Sequence, residues 1–282
     1  MAKKFAERDE WNKEEVAKFK RKRRARRAAP AAALAMPGPR LVAEGDSWFD
    51  YLPGTDLIDC LENDHGYEIE NFALAGDTLE NMIFGTGIDE DFTRTPPTID
   101  SVLERIRSLQ PKAFLFSGGG NDIAGDEFES YLNHAGSGLQ PLRHDFLNQV
   151  MGVFERYYDS LVTRVAAASP GTYIVTHGYG HTKATGKGVN FLIFRFGGPW
   201  MKPALTKKGI FNEPQQDAIV RDVIDAFNAM LARLAARHPK FKYVDLRPLL
   251  DPDNDWANEL HLRNGAFGRV AEHIHQTIAA LP

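Results

Sequence analysis

Leu41-Val42-Ala43-Glu44-Gly45-Asp46-Ser47-Trp48-Phe49 is the stretch from which the rest of the chain is read. Three apolar residues make a brief buried strand, and the polar residues after them end it in a turn. A serine at such a strand-to-loop turn presents its hydroxyl at the edge of a sheet. Taken alone, Gly45-Asp46-Ser47 is also an ordinary turn sequence. Its weight comes from what repeats downstream.

Short apolar runs alternate with helical patterns along the chain. Residues 55–65 read as a helix with Thr55 or Asp56 as cap, and Tyr67 to Leu74 as a second strand. Pro97 sits at a first helical turn, with Ile99, Val102, Leu103 and Ile106 following at helical spacing. Ala113 to Phe116 is a third strand. A helix over 142–168 ends at Ser169-Pro170-Gly171, and Tyr173 to Val175 is a fourth strand. A helix at 214–237, a fifth strand from Phe241 to Leu246 and a last helix at 265–280 complete the series. The pattern predicts one α/β domain with a doubly wound, mostly parallel five-stranded sheet. Ligands in such sheets sit outside the carboxyl ends of the strands.

The unusual polar stretches all fall at those ends. Strand two runs into Ala75-Gly76-Asp77-Thr78, and strand three into Ser117-Gly118-Gly119-Gly120-Asn121-Asp122. The chain after strand five reaches Asp255-Trp256-Ala257-Asn258-Glu259-Leu260-His261 before the final helix. Together these resemble the four ordered blocks of the SGNH/GDSL hydrolase family, with Ser47, Gly76, Asn121 and His261 as the named residues. The resemblance covers about residues 40–280 and implies a three-layer, flavodoxin-like fold. It also implies hydrolysis of esters, thioesters, acetylated sugars or lipids, with no cofactor and no catalytic metal. By that resemblance Ser47 is the nucleophile and His261 its base. The oxyanion is met by the backbone N–H of Ser47 and Gly76 and the side-chain amide of Asn121.

In one block the chain departs from the family. The usual aspartate three residues before the histidine is Asn258, and the usual proline after it is Leu262. Asp255 is the first candidate for the triad acid; Asn258, Glu259 or a Ser–His dyad remain open. Asp46 and Asp122 are expected to accept backbone N–H bonds in their turns, and Asp77 and Thr78 to cap a helix. Asp46, Trp48, Asp122, His177, Phe194 and Trp200 are candidate substrate contacts. Two long connections, 123–141 and 178–212, are expected to wall the site, the second as a lid or acyl pocket. His177 and His181 lack an obvious third metal ligand. Gly180 to Gly188 fails as a phosphate loop, since position 181 is His and position 188 is Gly.

Composition sets the outer bounds. Of the 282 residues 43% are hydrophobic and 26% charged, as in ordinary globular chains. The single cysteine, Cys60, excludes an intrachain disulfide or a thiolate metal cluster. Charge is uneven: residues 1–27 hold 12 Lys and Arg against 5 Asp and Glu, a net of +7 that leaves −11 for the remainder. Residues 1–36 are therefore expected to form a basic arm and linker ahead of a hydrolase domain at 37–282. The densest part, 18–27, suits an anionic partner such as nucleic acid or an anionic membrane. The apolar stretch after it is too short for a signal or a membrane span, so a cytoplasmic location is the expectation.

Overall fold

The computed structural model describes residues 39–51, 54–88, 90–191 and 194–282. The basic arm, including 18–27, lies outside the described residues. Five parallel strands form the central sheet in the order β2-β1-β3-β4-β7: β1 Arg40–Gly45, β2 Glu68–Asn71, β3 Ala113–Ser117, β4 Tyr173–His177 and β7 Phe241–Val244. Both faces are covered, which is why β1 and β3 are buried almost throughout rather than alternating. Helices α1 (Leu57–His65) and α8 (Asn264–Ala279) pack together. Helices α3 (Thr98–Leu109), α5 (His144–Ala168) and α7 (Glu213–Arg237) form a second packed set. This is the doubly wound α/β fold that the strand and helix pattern predicts.

Local chemistry sets most of the boundaries. Asp56 caps α1 through a capping box with Asp59, and its second oxygen takes the N–H of Tyr51. Proline ends the extended approach to α3, with Pro97 as its N-cap. Strand β1 runs two residues further than its apolar core, through Glu44 and Gly45. Pairing with β2 continues past Asn71 through Phe72 N–H to Ala43 O and Leu74 N–H to Gly45 O. Gly45 is required by close approach: a Cβ there would lie 2.8 Å from Ser117 Cβ.

The chain leaves β1 for β2 on one side and returns for β3 on the other, so the reversal of strand order lies between β1 and β3. The turn after β1 and the glycine-rich turn after β3 flank that crevice. The two long connections carry structure that the sequence pattern does not predict. The first contains two 3₁₀ turns, Asp126–Tyr131 and Ala135–Ser137. The second contains the hairpin β5 Val189–Phe191 with β6 Phe194–Gly197, and the short helix α6 Lys202–Lys207.

Candidate active site

Asp46 builds the turn that carries Ser47. It is 1% exposed; Oδ1 accepts from Trp48 N–H at 3.0 Å and Ser117 Oγ at 2.9 Å, and Oδ2 from Tyr179 OH at 2.9 Å. Burial pushes its pKa up to about 6, against the pull of those hydrogen bonds. With its carboxyl used this way, Asp46 holds the turn, and it also lines the cavity beside Ser47. Ser47 is left half-exposed, with Oγ 2.7 Å from His261 Nε2.

The opposite nitrogen of His261 faces Asn258, with Nδ1 to Oδ1 at 3.0 Å. The direction of that bond follows from its neighbours. Asn258 Oδ1 also accepts the backbone N–H groups of Leu260 and His261, both at 2.9 Å. Backbone N–H groups can only donate, so the atom they meet is the amide oxygen. Nδ1 therefore carries the proton, and Nε2 presents its lone pair to Ser47. Asn258 Nδ2 donates to Tyr51 OH at 3.3 Å, and the Tyr51 ring stacks on the imidazole with centroids 4.2 Å apart and planes 13° from parallel. Trp200 closes the edge of the ring at 5.5 Å. Burial lowers the His261 pKa to about 3, so the neutral imidazole is the resting form over a wide pH range.

The other two candidates for the orienting position are not brought to His261. Asp255 Oδ2 accepts Asp251 N–H at 2.7 Å, and Oδ1 pairs with Arg269 at 2.6 Å. It closes the base of the loop, where its carbonyl meets Arg263 N–H at 2.8 Å. Glu259 is wholly buried, with four N–H donors converging on its carboxylate. Oε1 takes Gly186 at 2.8 Å and Lys202 at 3.2 Å, and Oε2 takes Trp200 at 2.6 Å and Met201 at 2.7 Å. Its role is to bind the 178–212 connection to the histidine loop. Those bonds fasten the backbone at 186 and 200–202 of that connection to the histidine loop.

Gly76 adopts φ +86°, the left-handed region that favours glycine, and no atom lies within 4 Å of the place a Cβ would occupy. The space in front of it is open. Asn121 opens the short helix α4 (Gly120–Ala124), and its Nδ2 donates one proton to Asp77 O at 2.7 Å. The second amide proton remains for another acceptor. Asp122 is spent structurally. Its Oδ2 accepts Leu79 N–H at 2.9 Å, at the start of the short helix α2 (Leu79–Phe84) that Thr78 caps, and burial pushes its pKa up to about 7.

His177 packs against Trp48 and Phe49. It is buried and stacked on Trp48 at 4.8 Å, with Nδ1 donating to Gly178 O; burial lowers its pKa to about 4. Trp48 is 2% exposed and ties the serine turn to the histidine loop through Nε1–H to Leu260 O at 3.0 Å. Phe194 starts β6, and the expectation for its side chain lies outside the described residues. Of the candidate substrate contacts, Trp200 stands beside the reacting pair with its side chain half-buried. His181 pairs with Asp225. Among the described residues no group of three or more His, Cys, Asp or Glu is placed to hold a metal ion.

A cavity of about 40 Å³ opens beside Ser47 and Asn121. Apolar side chains from three places line it: Ile123, Ala124 and Phe128 from the first connection, Met201 from the second, and Val220, Val223 and Ile224 from α7. The sequence pattern gives the helix at 214–237 but singles out neither its cavity-facing stripe nor Tyr51. Its position four residues after Ser47, in an aromatic run, was the available signal.

Residues 43–277 match the model of the GDSL-like Lipase/Acylhydrolase family. Solved structures with a similar fold include the extracellular lipase of Streptomyces rimosus, at TM-score 0.53 and 14% identity over 86% of this chain and 100% of that one. A lipase from a goat rumen metagenome gives TM-score 0.56 at 11% identity over 86% and 97% of the two chains. Phospholipase A1 of Streptomyces albidoflavus gives 0.52 at 12% over 86% and 98%. No curated protein sequence matches.

Proposed function

Because the chain belongs to the GDSL-like lipase/acylhydrolase family and is an ester-hydrolysing enzyme, we propose that it works through an acyl-enzyme on Ser47, with His261 as base and Asn258 as the group that orients it. The observation that carries this reading is the 2.7 Å contact between Ser47 Oγ and a His261 Nε2 whose lone pair is directed at it. His261 takes the serine proton as Oγ attacks the ester carbonyl. It returns that proton to the leaving alcohol, then activates water for deacylation. Ser47 N–H, Gly76 N–H and the second amide proton of Asn121 are the donors for the oxyanion. Each such donor typically contributes ~3–4 kcal/mol of transition-state stabilisation.

Asparagine in the orienting position has a known hazard. An amide that turns its NH₂ to the imidazole enforces the wrong tautomer, at a cost of about 10⁴-fold in rate. The two backbone N–H groups on Asn258 Oδ1 prevent that rotation. What Asn258 lacks is a negative charge to offset the imidazolium. The Tyr51 face, 4.2 Å away, supplies part of that compensation, on the order of 1–2 kcal/mol as a cation–π contact.

The test is a fluorophosphonate probe on the full chain, with the adduct located by mass spectrometry and Ser47→Ala as control. Labelling confined to Ser47, together with a loss of ester hydrolysis on the order of 10⁶-fold in Ser47→Ala, is the expected result. A folded protein that is not labelled, or a Ser47→Ala variant that keeps its activity, overturns the reading.

A further inference from the structure

We infer that Asp50 is a positioning residue for the oxyanion site: its carboxylate fastens the turn that presents Gly76 N–H to the turn that carries Ser47. That role rests on Ser47 being the nucleophile and on Gly76 N–H being one of the oxyanion donors.

The Gly76 turn has little packing to hold its apex. Leu74, Ala75 and Gly76 are all exposed, Leu74 at 52%. Gly76 sits at φ +86°, with no atom within 4 Å of the place a Cβ would occupy. Its N–H has no hydrogen-bond partner among the described residues, so the donor is available. Glycine has the widest backbone freedom of any residue. An oxyanion donor, however, has to stand ~2.7–3.1 Å from the place where the charge develops. Hydrogen bonds must supply the stiffness that packing does not.

They arrive on both sides of the glycine. Leu74 N–H to Gly45 O at 2.9 Å carries the strand pairing into the turn, and Asp77 N–H returns to Leu74 O at 3.1 Å. Between them Ala75 N–H donates to Asp50 Oδ2 at 3.2 Å, across 25 residues of sequence. Asn71, the last residue of β2, brings the two segments side by side. Its Nδ2 donates to Phe49 O at 2.8 Å, while its Oδ1 accepts Ala73 N–H at 3.0 Å. The turn also governs the second donor, because Asp77 O accepts Asn121 Nδ2 at 2.7 Å. A shift of the turn therefore moves the Gly76 N–H and the Asn121 amide together.

The carboxylate has an opposing effect. A negative charge close to a developing oxyanion repels it, so the bond and the charge of Asp50 act on the rate with opposite signs. Two substitutions separate them. Asp50→Ala removes both, whereas Asp50→Asn removes the charge and keeps an acceptor oxygen.

The experiment uses the full chain and both variants. It measures the second-order rate of fluorophosphonate labelling at Ser47, kcat and KM for p-nitrophenyl acetate, and Tm. The phosphonyl oxygen enters the same donor site as an ester carbonyl, so the labelling rate decides even if this ester is turned over poorly. A donor displaced by 1 Å can cost ~10²-fold in rate, and the smaller shift expected here lowers labelling and kcat in Asp50→Ala by about tenfold. KM stays within about twofold, the mark of an interaction felt in the transition state alone. Asp50→Asn keeps at least about a third of the wild-type rate, and both variants melt within a few degrees of wild type. Wild-type rates in Asp50→Ala overturn the proposal. So do equal losses in the two variants, a raised KM with unchanged kcat, or a gain in both variants, which would make Asp50 a charge and not a clasp. In each of those cases labelling of the wild type at Ser47 leaves the nucleophile standing; a folded wild type that is not labelled removes both.

Discussion

The loop that carries His261 and the turn that carries Ser47 each bury a glutamate completely, and they treat it in opposite ways. Glu259, two residues before the histidine, accepts four backbone N–H bonds from the connection packed against it. Glu44, three residues before the serine, has no hydrogen-bond partner on either oxygen among the described residues. Desolvation pushes its pKa up to about 9, with Asp77 and Asp46 adding to the shift. A carboxylate that loses water must regain donors or give up its charge. In the histidine loop the buried acid ties two segments together. In the serine turn it is a neutral carboxylic acid at neutral pH, and the work of holding the turn falls to Asp46.

The largest effect expected from this contrast is on Glu259→Ala, which strands several N–H groups at once. The cost is about 4 kcal/mol, read as a fall in Tm of about 10 °C, with loss of activity as the wall and the histidine loop separate. A Tm within a degree or two of wild type would break the contrast, because the four bonds would then carry no stability.

A smaller effect is expected for Asn258→Asp, which places a charge beside a histidine now held near pKa 3 by burial alone. An adjacent carboxylate favours the imidazolium and raises the His261 pKa by about 1–3 units. On the proposed mechanism Ser47 needs the neutral imidazole as its base, so the acid limb of kcat/KM moves to higher pH by that amount. An acid limb that stays where it was would mean that Asn258 does not contact the catalytic histidine in solution.

A pH-dependent effect is expected for Glu44→Gln, measured as Tm against pH. Folded Glu44 holds its proton above the ordinary value of 4.5, up to about 9. The unfolded chain releases that proton first, so stability is intact below pH 4.5 and declines as pH rises toward 9. Glutamine has no proton to lose. The drop in Tm between pH 6 and pH 9 should therefore shrink in the glutamine variant. Identical pH profiles would show that Glu44 finds donors after all.

Much of this architecture is legible in the sequence because it is local. Strand ends, glycine-rich turns and helical stripes are written in contiguous residues. The places of Ser47, Gly76, Asn121 and His261 follow from four such blocks in order. The orienting group is not legible in that way. Asp255 is the natural choice by charge, yet the loop closes with Asp255 against Arg263 and Arg269, and with Asn258 folded back on the histidine. Those bonds run between residues whose spacing says nothing of the loop's curvature. Tyr51 and the α7 stripe escape for a related reason: an aromatic or aliphatic residue has the same sequence pattern in a core as at the wall of a cavity. The paired strands Val189–Phe191 and Phe194–Gly197 are short and lie within a glycine-rich, aromatic stretch whose period favours neither strand nor helix.

The manner in which Glu259 grips its neighbour bears on how such an enzyme can change over evolutionary time. The carboxylate reads main-chain N–H groups at 186, 200, 201 and 202 and asks nothing of the side chains there. Any residue except proline supplies the same N–H. Trp200 and Met201, which face the reacting pair and the cavity, can thus be exchanged while the backbone that presents them stays fastened. Mutational drift or a designed library at those two positions would explore new substrates on an unmoved frame.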